Sequence, residues 1–115
     1  MPRRKLDPLP SAAFQILLAL AAGDLHGYAI MRQVEEQSGG RGRLGPGTLY
    51  GSIQTLLEEK LIEEVESGAG DPGTERRRCY KLTAAGRKTA RTEAERIAAL
   101  VRVARARRIL RGDHV

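Results

Sequence analysis

The sequence predicts a mainly α fold with a small β-hairpin, a winged helix-turn-helix domain followed by a long C-terminal dimerisation helix. Three observations carry that prediction. Three helical patterns fill residues 11 to 60. Two short segments then flank a glycine-rich tip, Ser67–Thr74. Helical periodicity returns at Ala84 and continues to Leu110.

Each element has a local reason. Ser11 is read as the N-cap of the first helix, with Ala12 to Ala22 apolar except for Gln15 and Gly23 as the stop. A helix apolar nearly all round must be buried on most sides. In the second helix, residues 26–38, Ile30 and Val34 lie four apart on one face, with Arg32, Glu35 and Glu36 outside. Gly39–Gly47 holds five glycines in nine residues and reads as a turn. Pro46 suits a first helical position, and Leu49, Ile53, Leu56 and Leu57 then form the apolar stripe of a third helix ending near Lys60.

Residues Leu61–Glu66 and Arg77–Thr83 read as the strands of the hairpin. Alternation places Arg78, Tyr80 and Leu82 on one face of the second strand and Arg77, Cys79, Lys81 and Thr83 on the other. In the last helix, Ala90, Ala94, Ile97, Val101 and Ala104 form a seam spaced 4, 3, 4, 3. Such a helix is about 40 Å long at 1.5 Å per residue, with nothing left in its own chain to pack on along its whole length. The seam therefore calls for a second copy of the chain. The expected division is residues 1–83 for the winged domain and 84–115 for the dimerisation helix.

Composition narrows the function. At 115 residues the chain is one domain's worth. It has no Trp, one Phe and three Tyr, too few aromatics for a surface that stacks single-stranded bases. The net charge is +6, unevenly placed. Residues 1–66 hold 7 Lys or Arg against 9 Asp or Glu, whereas residues 67–115 hold 13 against 5. A basic back half fits an anionic polymer. The single cysteine, Cys79, permits no internal disulfide, and two histidines, His26 and His114, make no metal cluster. No cofactor is expected. The longest apolar run, Ile16–Ala22, is far short of a membrane span of about 20 residues, and no signal peptide is apparent, so the expected location is the cytoplasm. No phosphate-cradling Gly-Lys-Ser/Thr loop, HExxH or GxSxG occurs, so no enzyme activity is expected.

Candidate contact residues fall in three places. The outer face of the third helix carries Thr48, Gly51, Ser52, Gln54 and Thr55, short groups suited to phosphates and base edges. Gly51 is either a point of close backbone approach or a tolerated surface glycine; Tyr50 is either half-core or a phosphate contact. Arg76, Arg77 and Arg78 at the hairpin base suit a nucleic-acid backbone or minor groove, against the alternative of a solvated charge run. The basic last helix reads as a solvated dimer helix in preference to a DNA-binding or membrane-surface helix. His26 reads either as a helix-start residue or as a base, a ligand or a phosphate donor.

Taken together, His26-Gly27-Tyr28, Gly47-Thr48-Leu49-Tyr50, Leu61-Ile62 and Arg78-Cys79-Tyr80-Lys81-Leu82-Thr83 with Gly86-Arg87 resemble the PadR family of bacterial transcriptional regulators, over about Leu17 to Arg87. The short length is similar to members with a single C-terminal helix. The resemblance implies a homodimeric winged-helix protein that binds double-stranded DNA, commonly as a repressor, on an inverted repeat. It implies that Thr48 and Tyr50 lie in the reading helix, His26 and Tyr28 at the start of the preceding helix, and Arg76 to Arg78 in the wing. It further implies a dimer built by the first and last helices, with Phe14, Ile97, Leu100, Val101 and Ala104 at the interface. Two positions depart from the family pattern: Gly51 stands where many members have Pro, and Cys79 where an aromatic is frequent. Some members hold planar drugs between aromatic residues at the dimer centre; with no Trp and only Phe14, that mode is not expected, and a small-molecule inducer stays unidentified. The alternative function is a protein-interaction or RNA-binding winged-helix module.

Overall fold

The computed structural model describes residue 6 and residues 9–40, 44–66 and 78–111. Its elements are α1 (Ser11–Ala21), β1 (Leu25–His26), α2 (Gly27–Gln37), α3 (Pro46–Glu58), β2 (Ile62–Glu66), β3 (Arg78–Leu82) and α4 (Ala84–Ala106). The sheet has three antiparallel strands in the order β1-β3-β2, not the two of a simple hairpin. The extra strand pairs Leu25 with Tyr80 and His26 with Cys79, and β2 pairs with β3 from Ile62 opposite Leu82 to Glu66 opposite Arg78. Two residues are too few for a period-2 pattern, which is why β1 escapes the sequence.

The core lies where α1, α2 and α3 meet the sheet. Ile16, Leu17, Ile30, Val34, Leu49, Leu56 and Ile62 are essentially without solvent contact. Each comes from an apolar stripe at helical spacing or from the inner face of a strand. Of the β3 residues on one face, Tyr80 is buried and Leu82 half-buried against this core, while Arg78 sits exposed at the strand's outer end. The N-cap of α1 is Pro10 rather than Ser11. Pro10 has the extended backbone a cap requires, and the Ser11 hydroxyl accepts from Gln15 Nε2 one turn on, at 3.2 Å.

The junction into α4 is the most constrained point of the fold. Thr83 caps α4: its Oγ1 accepts from the Gly86 N–H at 3.0 Å and donates toward the Lys60 and Leu61 carbonyls, each at 2.9 Å. A Cβ on Gly86 would lie 2.0 Å from the Leu61 carbonyl oxygen and 2.8 Å from Leu82 Cδ1. Only glycine fits there. The Leu-Thr-x-x-Gly string is thus a packing and capping device that fastens α4 to the end of α3.

α4 also packs on α1, along the first half of its length, where its buried residues lie. Ala90 enters the core and Glu93 is buried. Arg96 holds Glu93 through Nε at 2.9 Å and through Nη2. Beyond that point the helix stands away from the core. It ends at Ala106 and not at Leu110, because Arg108 turns into the left-handed region at φ 62 and the Ile109 N–H closes back on the Ala104 carbonyl at 2.9 Å. Ile109 and Leu110 prolong the apolar pattern beyond the backbone's helical stop.

Candidate nucleic-acid interface

α3 forms an exposed ridge between two clefts. Its apolar stripe of Leu49, Ile53 and Leu56 is buried, so the opposite side, Gly47, Gly51, Gln54 and Glu58, faces outward. Pro46 occupies a first-turn position and no side chain caps the helix start. No atom would crowd a Cβ added at Gly47 or Gly51 within 4 Å. Neither glycine is there for internal packing, and together they leave the ridge low enough for another molecule to reach its backbone. Gln54 Nε2 donates to Glu58 Oε2 at 3.4 Å, and the Thr55 hydroxyl donates to the Gly51 carbonyl at 3.1 Å. Ser52 and Thr55 are half-buried on one flank of the ridge.

The cleft beside Tyr50 has a volume of about 450 Å³ and is lined by His26, Gly27, Tyr28, Tyr50, Arg78 and Tyr80. All three tyrosines of the chain therefore converge here from α2, α3 and β3. Gly27 makes this possible: a Cβ there would stand 2.6 Å from the Tyr50 hydroxyl oxygen. Tyr50 and Tyr28 are about half exposed, at 52% and 56%. The Arg32 guanidinium lies 6.0 Å from the centre of the Tyr28 ring, within cation–π range. Tyr80 is only 6% exposed. Burial, and then the nearby Glu64 carboxylate, push its pKa up, so its phenol stays neutral and keeps its proton.

His26 is the N-cap of α2, with Nδ1 accepting from the Ala29 N–H at 3.3 Å. The structure thus gives it the helix-start role, at the rim of the same cleft. Arg78 makes an ion pair with Glu64 at 3.2 Å while its side chain stays 79% exposed. Such a pair adds little to stability and leaves the guanidinium available at the surface. Arg76 and Arg77, named with Arg78 as wing residues, and the tip Ser67–Thr74 lie outside the described residues.

The second cleft, about 340 Å³, lies on the other flank of α3. Leu6, Pro10 and Ala13 face Gly47, Thr48, Gly51, Ser52 and Thr55 across it. Sequence periodicity had put these α3 positions on an outer face; it carried no sign that the segment before α1 runs alongside them.

A separate surface is apolar. Past Glu93, Ile97, Val101 and Ala104 are half-buried, and Leu100 and Val103 are exposed. Ala94, part of the expected seam, is exposed, while Phe14 on α1 is half-buried against the core. Among the described residues, no group of three or more His, Cys, Asp or Glu is placed to hold a metal ion, and no helix is long and apolar enough to cross a membrane.

Comparison with known proteins agrees with this geometry. The model of the transcriptional regulator PadR-like family matches residues 16–92. An uncharacterised 37.1 kDa protein in a transposon of Streptomyces fradiae is 43% identical over 89 residues; the match takes in 77% of this chain but only 24% of that relative. A PadR family transcription regulator from Clostridium difficile superposes with a TM-score of 0.73 at 25% identity, over 84% of this chain and 97% of the other. The Bacillus subtilis PadR, solved in complex with operator DNA, superposes with a TM-score of 0.61 at 23% identity, over 71% of this chain and 45% of the other. Both have the fold found here.

Proposed function

The chain belongs to the PadR-like family of transcriptional regulators, and on that premise we propose that it is a homodimeric repressor that lays α3 in the major groove of an inverted-repeat operator. It is a regulator, not an enzyme. The observation that carries the DNA reading is the α3 ridge, with its outward glycines between two clefts. An α-helix about 10–12 Å across fills a major groove about 12 Å wide, so each flank of α3 would meet one phosphate backbone. The Bacillus subtilis PadR, which shares the fold, was solved in complex with operator DNA, and this supports DNA as the partner.

In this reading Thr48, Gly51, Ser52, Gln54 and Thr55 face the bases and the phosphates nearest them. Gln54, at the crest, is the principal base reader. His26, Tyr28, Tyr50 and Arg78, with Arg76 and Arg77 of the wing, hold the backbone on one flank. The exposed apolar face of α4 is the second requirement. Leu100, 55% exposed, stands with Ile97, Val101 and Ala104 on a helix half that leaves its own core. A contiguous apolar strip on a projecting helix is the usual mark of a subunit contact. With Phe14 of α1 it would bring two copies together, residues 1–83 reading DNA and residues 84–115 setting the spacing of half-sites, about one helical turn apart. The site of action is the cytoplasm.

The test is selection of duplex fragments by the full chain, followed by titration with and without duplex RNA as competitor. Enrichment of a two-fold symmetric sequence, with RNA a poor competitor, is the expected result. Absence of any enriched duplex, or preference for RNA, would overturn the reading. Ile97→Glu with Val101→Glu should halve the mass in solution and lower operator affinity at least tenfold; an unchanged mass would remove the dimer from the proposal.

A further inference from the structure

Tyr80 carries a hydroxyl that the packing of the core does not use. Its ring belongs to the core and is only 6% exposed. Yet the hydroxyl makes no hydrogen bond among the described residues. Glu64 stands opposite Tyr80 in the sheet, but the Glu64 carboxylate pairs with Arg78 at 3.2 Å. No side-chain nitrogen or oxygen among the described residues is both sealed from solvent and without a partner. The Tyr80 hydroxyl therefore opens into the cleft that its ring helps to line. For the core alone, phenylalanine would serve as well and leave no polar group to satisfy.

The groups around that opening suit an anion. Burial, and then the Glu64 carboxylate, keep the Tyr80 phenol protonated, so it can donate. Gly27 and Tyr28, the first two residues of α2, line the same cleft, which puts the positive end of the helix dipole beside it. Tyr50 lies against Gly27, its hydroxyl oxygen 2.6 Å and two ring carbons 3.0 and 3.1 Å from where a Cβ would stand. Glycine at position 27 thus decides where the Tyr50 hydroxyl can sit. Arg78 adds a cation, offset by its Glu64 partner. The cleft, about 450 Å³, offers hydrogen-bond donors with little net charge and has room for one phosphodiester group.

We infer that Tyr80 is a DNA-contact residue: its hydroxyl donates to an oxygen of one backbone phosphate seated in the cleft at the start of α2, and Gly27 is a positioning residue that sets the Tyr50 hydroxyl for the same phosphate. This assignment rests on the DNA-binding reading above and names the groups that hold one phosphate within it. Neutral phenols displace no counterions, so their contribution differs in kind from that of Arg78. The seat fixes the position of the backbone and reads no base.

The experiment compares the full chain with Y80F, G27A and R78A on a duplex that the full chain has itself enriched. Y80F should lose about 10-fold in affinity, the scale of a hydrogen bond to a charged group, while the dependence of log affinity on log salt stays the same. R78A should flatten that dependence by about 0.9 per copy. The thermal midpoint of Y80F should hold or rise, because no internal bond is lost. G27A should also keep its midpoint, since the half-exposed Tyr50 can swing outward, and should lose affinity. Phosphate ethylation should reveal one phosphate per half-site whose modification weakens the full chain but no longer weakens Y80F. Undiminished affinity of Y80F would overturn the assignment and leave water as the partner of the hydroxyl. A midpoint and an affinity that fall together would also overturn it, as the mark of a structural bond, and so would a changed base preference. A G27A protein that binds undiminished would remove Gly27 from the seat. Failure of the full chain to enrich any duplex would overturn the parent reading, and the seat with it; a binding full chain with an indifferent Y80F would overturn the seat alone.

Discussion

Gly86 of α4 and Gly51 of α3 are helical glycines that serve opposite purposes. At α4, Gly86 is buried, its missing side chain replaced by the Leu61 carbonyl, and Thr83 bonds to both sides of the junction. At α3, Gly51 opens onto empty space, and no side chain caps the helix. The first glycine is required by the fold. The second costs the fold about 0.5–1 kcal/mol relative to Ala and receives nothing from it. A glycine whose cost has no internal return points to something outside the chain.

Substitutions can break or sharpen that contrast. Gly86→Ala should be the most damaging, at about 3 kcal/mol or more, because the atom it meets is backbone and cannot rotate away; a denaturant midpoint close to that of the wild type would refute the close approach. Thr83→Ala removes the cap and the bonds to residues 60 and 61, and should cost about 1–2 kcal/mol by the same measurement. Gly51→Ala should act in the other direction, raising stability by about 0.5–1 kcal/mol while weakening binding to a selected duplex. Higher stability with undiminished binding would make Gly51 a bystander.

The smallest effect concerns acid. Hydrogen bonding from Arg96 holds the Glu93 carboxyl below its ordinary pKa. A group depressed on folding contributes stability above its unfolded pKa and loses it as pH falls through the folded value. Glu93→Gln should therefore flatten the acid limb of the stability curve, slightly, since Arg96 is half exposed. Parallel acid limbs for the two proteins would mean that the pair contributes nothing.

The sequence carried the helices well because their cores are periodic: Ile30 with Val34, and Leu49 with Ile53 and Leu56, are positions that both the pattern and the structure bury. Family strings were equally legible, but as markers without a mechanism. Only coordinates show that Gly27 admits Tyr50, that His26 caps α2 and that Gly86 admits a carbonyl. The misreadings share one cause. Ser11 as a cap and Leu110 as a helix end were inferred from side-chain type alone. Backbone geometry at Pro10 and Arg108 decided them. The cleft of three tyrosines joins positions 28, 50 and 80, which only the folded chain brings together.

The short pairing of β1 with β3 has a consequence for the order in which the protein is made. Residues 25 and 26 meet their partners only when residues 79 and 80 exist. During synthesis, the first three helices leave the ribosome well before the sheet can close, and contacts so distant in sequence are slow to form. The cleft that joins α2, α3 and β3 is therefore complete only once β3 has been made. A nascent or truncated chain would have α3 long before it had the strand that completes the surface beside it.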